Sequence, residues 1–187
     1  MATLSAATKQ LLKAATKVPF PVDVKPMLAT LVDKPFDEPG WLFEVKWDGY
    51  RSVIYLNKGV VDMKSRNNKD FNEKFYAINN ALKKWNINAV LDGEIMVLND
   101  EGISNFGNLQ NWRSEADGEL VLYLFDVLWL EGYDVTNLPL HQRREILSGI
   151  VPDIDNIRLS ESFDTGASEF FEVAKQMNLE GIIAKRA

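Results

Sequence analysis

Apolar and polar residues alternate along several short stretches of the chain, a pattern typical of half-buried β-strands. The alternation predicts strands over 41–47, 50–57, 60–65, 89–98, 120–130 and 181–185. Asp48-Gly49 and Lys58-Gly59 each separate two of these strands, and both dipeptides favour tight hairpin turns. The first half of the chain is therefore expected to form hairpin-linked, antiparallel strands.

Other stretches repeat their apolar residues with the period of a helix. Over 72–85, the residues Phe75, Ile78, Leu82 and Trp85 fall on one helical face. Further helices are predicted over 105–112, over 139–150 with proline near its start, and over 165–177, capped by Asp164 or Thr165 and ending near Asn178. Interspersed helices and hairpin-linked strands indicate an α+β fold with antiparallel sheets flanked by helices.

The N-terminal region has a different pattern from the rest. Residues 1–17 read as a helix or a mobile arm, and residues 18–29, with three prolines, read as an extended lead-in. Lys9, Lys13 and Lys17 recur every four residues, so a helix would place them on one face. A solvated face is favoured over a stripe that contacts phosphates.

Composition narrows the chemistry. The absence of cysteine excludes disulfides, zinc–thiolate sites and a cysteine nucleophile, and the single histidine, His141, argues against histidine-based catalysis. Since no apolar run approaches the roughly 20 residues that span a bilayer, and no signal peptide is evident, a cytoplasmic protein is expected. The net charge of −6 argues against a broad nonspecific nucleic-acid surface but leaves room for a local basic groove.

Lys46 is the first candidate for catalysis. It lies in FEVKWDGYR, at a position that the alternation assigns to the covered side of a strand, with Glu44 and Asp48 two residues away on either side. A neutral lysine is a nucleophile, and burial or nearby cations lower its pKa. A snorkelling or salt-bridged lysine fits the same pattern, and the pattern alone favours that structural interpretation.

Five segments together change this balance. EVKWDGYR resembles the nucleotide-transfer signature Lys-x-Asp-Gly-x-Arg of ATP-dependent DNA ligases, and SRN, LDGEI, LFDVL and EGIIAK match four further motifs in the family's order. The flanking text PMLATLVDKPFDEPGWLFEVKWDGYR resembles the ligase domain of the bacterial DNA ligase D family. The resemblance implies the ligase and capping-enzyme nucleotidyltransferase fold, which is ATP-grasp-like, with the nucleotide between its sheets.

The resemblance also implies roles for the motif residues at the nucleotide. Lys46 would attack the α-phosphate of ATP to form a lysine–AMP intermediate, and the AMP would pass to the 5′-phosphate of a DNA nick. The arginine guanidinium is planar and permanently charged, which suits hydrogen bonds to ribose and phosphate oxygens, and an aromatic ring can stack on a base. The implied nucleotide-binding residues are Glu44, Val45, Lys46, Arg51, Arg66, Glu94, Phe125 and Lys185. Among them, Glu44 would face the adenine amine and Phe125 would stack on adenine. Glu94 would bind the ribose hydroxyls, and Lys185 would contact the α-phosphate.

The same resemblance implies a Mg²⁺ or Mn²⁺ ion bound by carboxylates. Glu180 is the main expected ligand, with Asp48 acting through water and Glu94 as a further candidate. Without the family, Glu180 would be an ordinary solvated carboxylate and Lys185 an edge-strand lysine.

Several residues near the motifs are expected to have structural roles only. Taken alone, Phe125 reads as a core aromatic and Arg66 as a loop charge. Asp92-Gly93 is expected to form a tight turn that aims Glu94 inward, and Asp126 is assigned no catalytic role. The remaining set is assigned to the surface or to packing: His141, Arg143 and Arg144 on the polar face of a helix, and the five tryptophans in the core or between lobes.

The domain expectation is an N-terminal helix, arm or linker over 1–22 and an adenylation domain over 23–187. In the family, a further lysine motif and an OB-fold domain follow, so the resemblance implies a C-terminally truncated adenylation domain that binds ATP weakly and adenylylates slowly or not at all. It also implies nicked or broken double-stranded DNA as substrate, a monomer associated with the nucleoid during repair, and a Ku-type end-binding protein as a partner. The alternatives are an RNA ligase, a capping-type nucleotidyltransferase, or a module that binds nucleotide or DNA without turnover.

Overall fold

The computed structural model describes residues 4–99, 102–163 and 166–187. Its strands are β1 (Thr16–Lys17), β2 (Trp41–Val45), β3 (Tyr50–Asn57), β4 (Val60–Ser65), β5 (Ala89–Leu98), β6 (Glu119–Leu130), β7 (Tyr133–Asp134), β8 (Ile157–Leu159), β9 (Ser162–Phe163) and β10 (Ile182–Arg186). Its helices are α1 (Ala6–Leu11), α2 (Tyr76–Leu82), α3 (Phe106–Asn111), α4 (Leu140–Ser148) and α5 (Ala167–Gln176), with 3₁₀ turns over Leu12–Ala14 and Glu115–Asp117. The predicted α+β class, with antiparallel sheets and flanking helices, is confirmed.

The described strands form two sheets. The larger sheet has the order β1-β7-β6-β5-β3-β4, and β8 joins it through a parallel pairing with β6. The smaller sheet has the order β10-β2-β9 and is antiparallel throughout. The strands β2 and β10 come from opposite ends of the sequence, so the smaller sheet joins the first and last ligase-like motifs.

The two predicted hairpins have different outcomes. The turn at Lys58-Gly59 is confirmed, because both residues have positive φ (51° and 80°) and β3 pairs directly with β4. The hairpin at Asp48-Gly49 is wrong, because β2 pairs with β10 and β9 whereas β3 pairs with β4 and β5. Residues 46–49 therefore carry the chain from one sheet to the other.

Both Asp-Gly glycines permit close backbone approach instead of making a turn. A Cβ on Gly49 would lie 2.3 Å from the carbonyl oxygen of Ile95. Asp92-Gly93, predicted as a tight turn, lies inside β5 at a register shift against β6, and a Cβ on Gly93 would lie 2.6 Å from the carbonyl oxygen of Tyr123. The turn prediction is wrong there, since the strand continues to Leu98.

The main hydrophobic core covers one face of the larger sheet. Ile54, Leu56, Leu91 and Ile95 project from β3 and β5 into it and are buried beside α2 and α4. The alternate side chains of the same strands face the other way, as the strand period requires, and this second face carries the polar motif residues Arg51, Asp92 and Glu94. The motif strands thus present their charges on the face opposite the main core.

The helix predictions hold for position more than for length. α3 begins after Asn105, whose side chain accepts from the amide of Asn108, and α4 begins after Pro139, as predicted. α2 is shorter than predicted, starting at Tyr76. None of the helices in the described part of the chain is long and apolar enough to cross a membrane.

The ends of the described chain differ from the expected helices. α1 ends at Leu11 and Lys17 lies in β1, so the predicted face shared by Lys9, Lys13 and Lys17 is wrong. For α5, the predicted caps Asp164 and Thr165 lie outside the described residues, and Gly166 occupies the N-cap. Asp37, which lies between the lead-in and β2, accepts hydrogen bonds from the amide and hydroxyl of Ser168 in the first turn of α5. Asn178 follows α5 with φ of 53°, as a helix end requires.

The tryptophans pack within the structure rather than forming one platform. Trp85, Trp112 and Trp129 are buried, which confirms their predicted core role. Trp41 packs edge-on against Phe36, and Trp47 stacks on Tyr123 of β6 with ring centroids 4.4 Å apart. The Trp47 stack holds the segment after β2 against the larger sheet.

Candidate active site

Lys46 lies just after β2, where the chain leaves the smaller sheet. The region around Lys46, Glu180, Glu94, Arg51 and Lys185 is called the cleft. Its amide donates to the carbonyl of Gly181 at 2.9 Å, which fixes the Lys46 backbone against the residue that precedes β10. Its ammonium forms an ion pair with the carboxylate of Glu180, and both side chains are 41% exposed. The alternation placed Lys46 on the covered side, but Glu44 is the buried member of that side and Lys46 faces the cleft. A candidate nucleophile and a candidate metal ligand, 134 residues apart in sequence, are thus in contact.

Glu94 lies in β5 on the face that carries the motif charges. Burial raises the pKa of Glu94 to about 8, and the neighbouring carboxylates Asp92 and Asp48 add to that rise, whereas Arg51 and Lys46 oppose it. At neutral pH the Glu94 side chain is therefore mostly protonated and can donate a hydrogen bond. An approaching cation would favour its ionised form, so its charge depends on what occupies the cleft.

Arg51 and Asp92 form a two-pronged ion pair across β3 and β5. The Arg51 Nε donates to Asp92 Oδ1 at 2.9 Å and a terminal nitrogen donates to Oδ2 at 2.6 Å. Asp92 is 3% exposed; burial raises its pKa, and Arg51 counters that rise. The Arg51 guanidinium also lies 5.1 Å from the ring centroid of Phe125. The sequence interpretation missed Asp92, which fixes the orientation of a predicted nucleotide contact.

Phe125 is the meeting point of β6 and β10. The Lys185 Nζ lies 4.3 Å from the Phe125 ring centroid and donates to Glu44 Oε2 at 2.8 Å. Glu44 is 2% exposed; burial raises its pKa, while Lys185 and Arg144 counter that rise. Burial lowers the pKa of Lys185, and Glu44 opposes this. The predicted adenine-binding residues therefore form one connected cluster.

Arg144 joins this cluster from α4, and the surface role predicted for it is wrong. It is 9% exposed and donates to Glu44 Oε1 at 3.0 Å. Arg143 is half-buried as well, and it donates to both carboxylate oxygens of the half-buried Asp126 at 2.8 and 2.9 Å. Spacing offered one signal: positions 140, 144 and 147 share a helical face, and leucines at both ends imply a covered side chain between them. His141 is exposed, as predicted.

Arg66 and Val45 lie apart from this cluster. Arg66 is exposed and lines a cavity of about 670 Å³ between the lead-in and strands β3 and β4. Among the described contacts, none joins Arg66 to Lys46, Glu94 or Glu180. Val45 is half-buried, pairs with Ile182, and lines a second cavity of about 310 Å³. The structure thus brings together six of the eight predicted nucleotide contacts, with Arg66 and Val45 outside the cluster.

The carboxylates of the cleft fit a metal that arrives with its phosphates. Within the described ranges, no three Asp, Glu, His or Cys side chains are grouped closely enough to hold an ion. Mg²⁺ commonly takes one or two carboxylates and completes its shell with phosphate oxygens and water. Glu180 is exposed at the mouth of the cleft, and Asp48 and Glu94 lie near enough to influence each other's charge. These residues suit an ion coordinated jointly by the protein and the nucleotide phosphates better than an ion held by the protein alone.

Comparison with known proteins identifies the family. The model of the ATP dependent DNA ligase domain matches residues 26–187. The chain is 35% identical over 178 residues to the multifunctional non-homologous end joining protein LigD of Pseudomonas aeruginosa, covering 93% of this chain and 21% of that protein. It is 29% identical to the prophage-derived DNA ligase-like protein LigB of Bacillus subtilis, covering 88% of this chain and 61% of that protein. The chain thus spans about a fifth of the LigD relatives it matches.

Solved structures agree. The ligase domain of Mycobacterium tuberculosis LigD superposes with a TM-score of 0.75 at 30% identity, over 87% of this chain and 54% of that one. A mycobacterial DNA ligase D complexed with ATP gives the same TM-score at 28% identity, with the same coverage of each chain. An archaeal ATP-dependent RNA ligase matches at a TM-score of 0.51 and 16% identity, which shows a shared fold alone. The expected nucleotidyltransferase fold is confirmed, and the chain belongs to the ATP-dependent DNA ligase domain family.

Proposed function

We propose that this chain carries the lysine-adenylylation site of a DNA ligase, with Lys46 as the nucleophile. The Lys46 nitrogen would bond to the α-phosphorus of ATP, the bond to the bridging oxygen would break, and pyrophosphate would leave. The observation that carries the proposal is the convergence on one cleft of Lys46 and Glu180 with Glu94, Arg51 and Lys185 from separate segments. Phosphoryl transfer depends on such positioning and on cations that neutralise developing charge.

The ion pair with Glu180 has a chemical consequence for Lys46. The Lys46 Nζ that would attack the α-phosphorus is engaged by the Glu180 carboxylate. Glu180 must therefore take another cationic partner before Lys46 can attack. A divalent metal would supply that charge and also neutralise phosphate oxygens, with Glu180, Glu94 and Asp48 as the residues that would hold it.

The remaining residues of the cleft would orient the nucleotide. Phe125, whose ring lies beside Lys185 and Arg51, offers a face for stacking the adenine, and Glu44 offers an acceptor for its amine. Arg51, held by Asp92, and Lys185, once free of Glu44, supply donors for ribose and phosphate oxygens. Val45 is the last residue of β2, directly before Lys46, and the Val45 backbone would contact the base.

The activity of the whole protein follows from the family and is proposed at the same level. AMP would pass from Lys46 to the 5′-phosphate of nicked or broken double-stranded DNA, and the 3′-hydroxyl would displace it to seal the strand. The relatives named for non-homologous end joining support a setting in DNA repair. For this chain we further propose a Ku-type end-binding protein as partner, a monomeric state and a place in the bacterial cytoplasm. We assign residues 23–187 to the adenylation domain and 1–22 to an N-terminal arm.

Intact mass spectrometry tests the nucleophile. Incubation with ATP and Mg²⁺ should add one AMP to the chain, and Lys46→Arg and Lys46→Ala should abolish the adduct. Lys46→Arg retains the charge without the nucleophile, so it separates chemistry from loss of the ion pair. Lys9→Arg, at an exposed helical lysine, is the matched control and should leave the adduct unchanged. An AMP adduct that persists in both Lys46 variants would contradict the assignment.

A chase experiment tests the acceptor and separates the alternatives. The adenylylated chain is mixed with a nicked duplex that bears a 5′-phosphate on DNA, with a 5′-hydroxyl nick as control. Transfer of AMP to the DNA 5′-phosphate supports the ligase. Transfer only to an RNA nick would support an RNA ligase, preference for GTP a capping-type enzyme, and nucleotide binding without any covalent product a binding module.

A further inference from the structure

Arg144 occupies the junction between the two sheets, and nothing in the proposed chemistry uses it so far. Its guanidinium donates to Glu44 Oε1 on β2 at 3.0 Å and to the carbonyl of Phe125 on β6 at 3.3 Å. It also donates to the carbonyl of Ser160, whose hydroxyl accepts from Trp47 Nε1 at 3.1 Å. One side chain on α4 thus ties together the acceptor and the ring that would bind the base.

The charges around Glu44 depend on this arginine. The groups that face the Glu44 carboxylate are Arg144 from α4, Lys185 from β10 and, more distantly, Asp126 from β6. Asp126 is itself held by Arg143. A carboxylate that is 2% exposed stays ionised only when a cation compensates for its lost hydration, and two cations do so here.

Lys185 cannot remain in place when a base stacks on the face of Phe125 that it covers. Its ammonium lies 4.3 Å from the ring centroid, and stacked aromatic rings place their centroids about 4.5–7 Å apart, so the ammonium and a base on that face would occupy the same space. The Arg51 guanidinium, 5.1 Å from the same centroid, also lies over the ring. Withdrawal of Lys185 breaks its hydrogen bond to Glu44 Oε2 and leaves that oxygen without a donor. Glu44 Oε1 keeps its bond to Arg144, and the pair alone is electrically neutral.

We propose that Arg144 is a positioning residue that holds Glu44 as an ionised acceptor for the exocyclic amine of the base, and that Lys185 covers this acceptor until a base displaces it. This inference rests on the proposed nucleotide site and adds the origin of its base selectivity. An ionised carboxylate accepts hydrogen bonds only, so it favours a 6-amino purine over one with hydrogen at that position and opposes a 6-oxo purine. A protonated or displaced Glu44 would lose that preference.

Binding selectivity tests the role of Arg144 without requiring turnover. The dissociation constants of ATP, purine riboside triphosphate and inosine triphosphate are measured by calorimetry for the unaltered chain and for Arg144→Met. The unaltered chain should prefer ATP to purine riboside triphosphate by roughly ten- to a hundredfold, the range of a hydrogen bond to a charged group. In Arg144→Met that preference should fall to within about threefold, chiefly through weaker ATP binding. Arg113→Met, at an exposed arginine, is the control and should retain the full preference.

Two further variants address misfolding, because Arg144 is buried. Arg144→Lys keeps the charge and should restore part of the preference. The double variant Glu44→Gln with Arg144→Met removes both members of the buried pair and leaves only the Lys185 ammonium, which is partly exposed, without its carboxylate. It should fold, as checked by urea denaturation, while showing no ATP preference. Retention of the full preference in Arg144→Met, or an equal loss of affinity for all three nucleotides in Arg144→Met and Arg144→Lys, would overturn the role of Arg144. If the unaltered chain shows no preference or binds none of the nucleotides, the nucleotide assignment itself fails and this inference falls with it.

Discussion

The guanidinium of Arg51 is clamped by the carboxylate of Asp92, through hydrogen bonds of 2.9 and 2.6 Å between neighbouring strands. This pair holds the arginine over the ring of Phe125 rather than in the solvent. Because Asp92 is 3% exposed, its charge is stabilised chiefly by Arg51, with a smaller contribution from Lys185. The two residues belong to different ligase-like motifs, so the pair fixes the position of one motif relative to the other.

Asp92→Asn should damage both stability and activity. The amide retains one acceptor but loses the charge, so we expect the free energy of unfolding to fall by about 1–3 kcal/mol. AMP adduct formation should slow as well, because Arg51 loses its fixed orientation. Urea denaturation and intact mass time courses measure the two effects. Asp153→Asn, at an exposed carboxylate, should change neither, and an equally small effect of Asp92→Asn would refute the clamp.

Glu94 should make stability decrease as the pH rises. The pKa of Glu94 is about 8 in the folded chain and ordinarily 4.5, so the folded chain holds an extra proton between these pH values. The free energy of unfolding should therefore fall as pH increases from about 4.5 to 8, by up to a few kcal/mol from this group, and level off outside that range.

Glu94→Gln isolates that contribution. The difference in free energy of unfolding between the variant and the parent should move in favour of the variant from pH 5 to pH 9, measured by urea denaturation with a chelator present. Glu44 and Asp92 also have raised pKa values, but they titrate in both chains and cancel in the difference. Glu73→Gln, at an exposed position, should give a flat difference. A flat difference for Glu94→Gln would show that its pKa is not raised.

Gly49→Ala should disturb the segment that carries Lys46. The new Cβ would lie 2.3 Å from the backbone oxygen of Ile95 and 2.8 Å from the Met96 side chain, so the backbone has to shift. We expect a loss of about 1–3 kcal/mol in the free energy of unfolding and slower AMP adduct formation. Gly107→Ala, where the nearest atom is a side-chain oxygen at 3.3 Å, should change stability by less than about 1 kcal/mol. Equal effects at the two glycines would argue against the clash.

Arg66→Ala should separate nucleotide binding from DNA binding. Family resemblance assigns Arg66 to the nucleotide, whereas its position beside the lead-in puts it outside the Lys46 cluster. We expect the dissociation constant of ATP to change less than about twofold, and that of nicked DNA to rise more at low salt. Calorimetry and fluorescence anisotropy measure the two constants, with Arg113→Ala as a control for surface charge. A larger effect on ATP than on DNA would restore the predicted nucleotide contact.

Local pattern predicted the larger sheet closely. The bounds expected for 50–57, 60–65 and 89–98 are those of β3, β4 and β5, because alternation has a short period and tolerates no slip on a sheet with one buried face. The turn at Lys58-Gly59 was equally readable, since Gly59 adopts positive φ without steric cost. These features depend on neighbours within a few residues of each other.

The failures concern residues whose partners lie far away in sequence. Asp48-Gly49 has the composition of a hairpin turn, yet pairing of β2 with β10 carries the chain elsewhere. Arg144 looks like a surface residue by type, but its partner Glu44 lies 100 residues away and makes burial of the charge favourable. The partner in each relationship lies outside the local sequence, although the spacing of Leu140 and Leu147 marks position 144 as covered.

The family, the strand periods and the candidate nucleophile are readable from the amino-acid order alone, because five motifs and their order are written in the chain. Which charges meet depends on the packed fold: Lys46 with Glu180, Arg51 with Asp92, and Glu44 with both Lys185 and Arg144. The reason is physical. Periodicity is set by backbone geometry over a few residues, whereas the pairing and the pKa of a charge are set by every segment that packs against it, wherever that segment lies in the sequence.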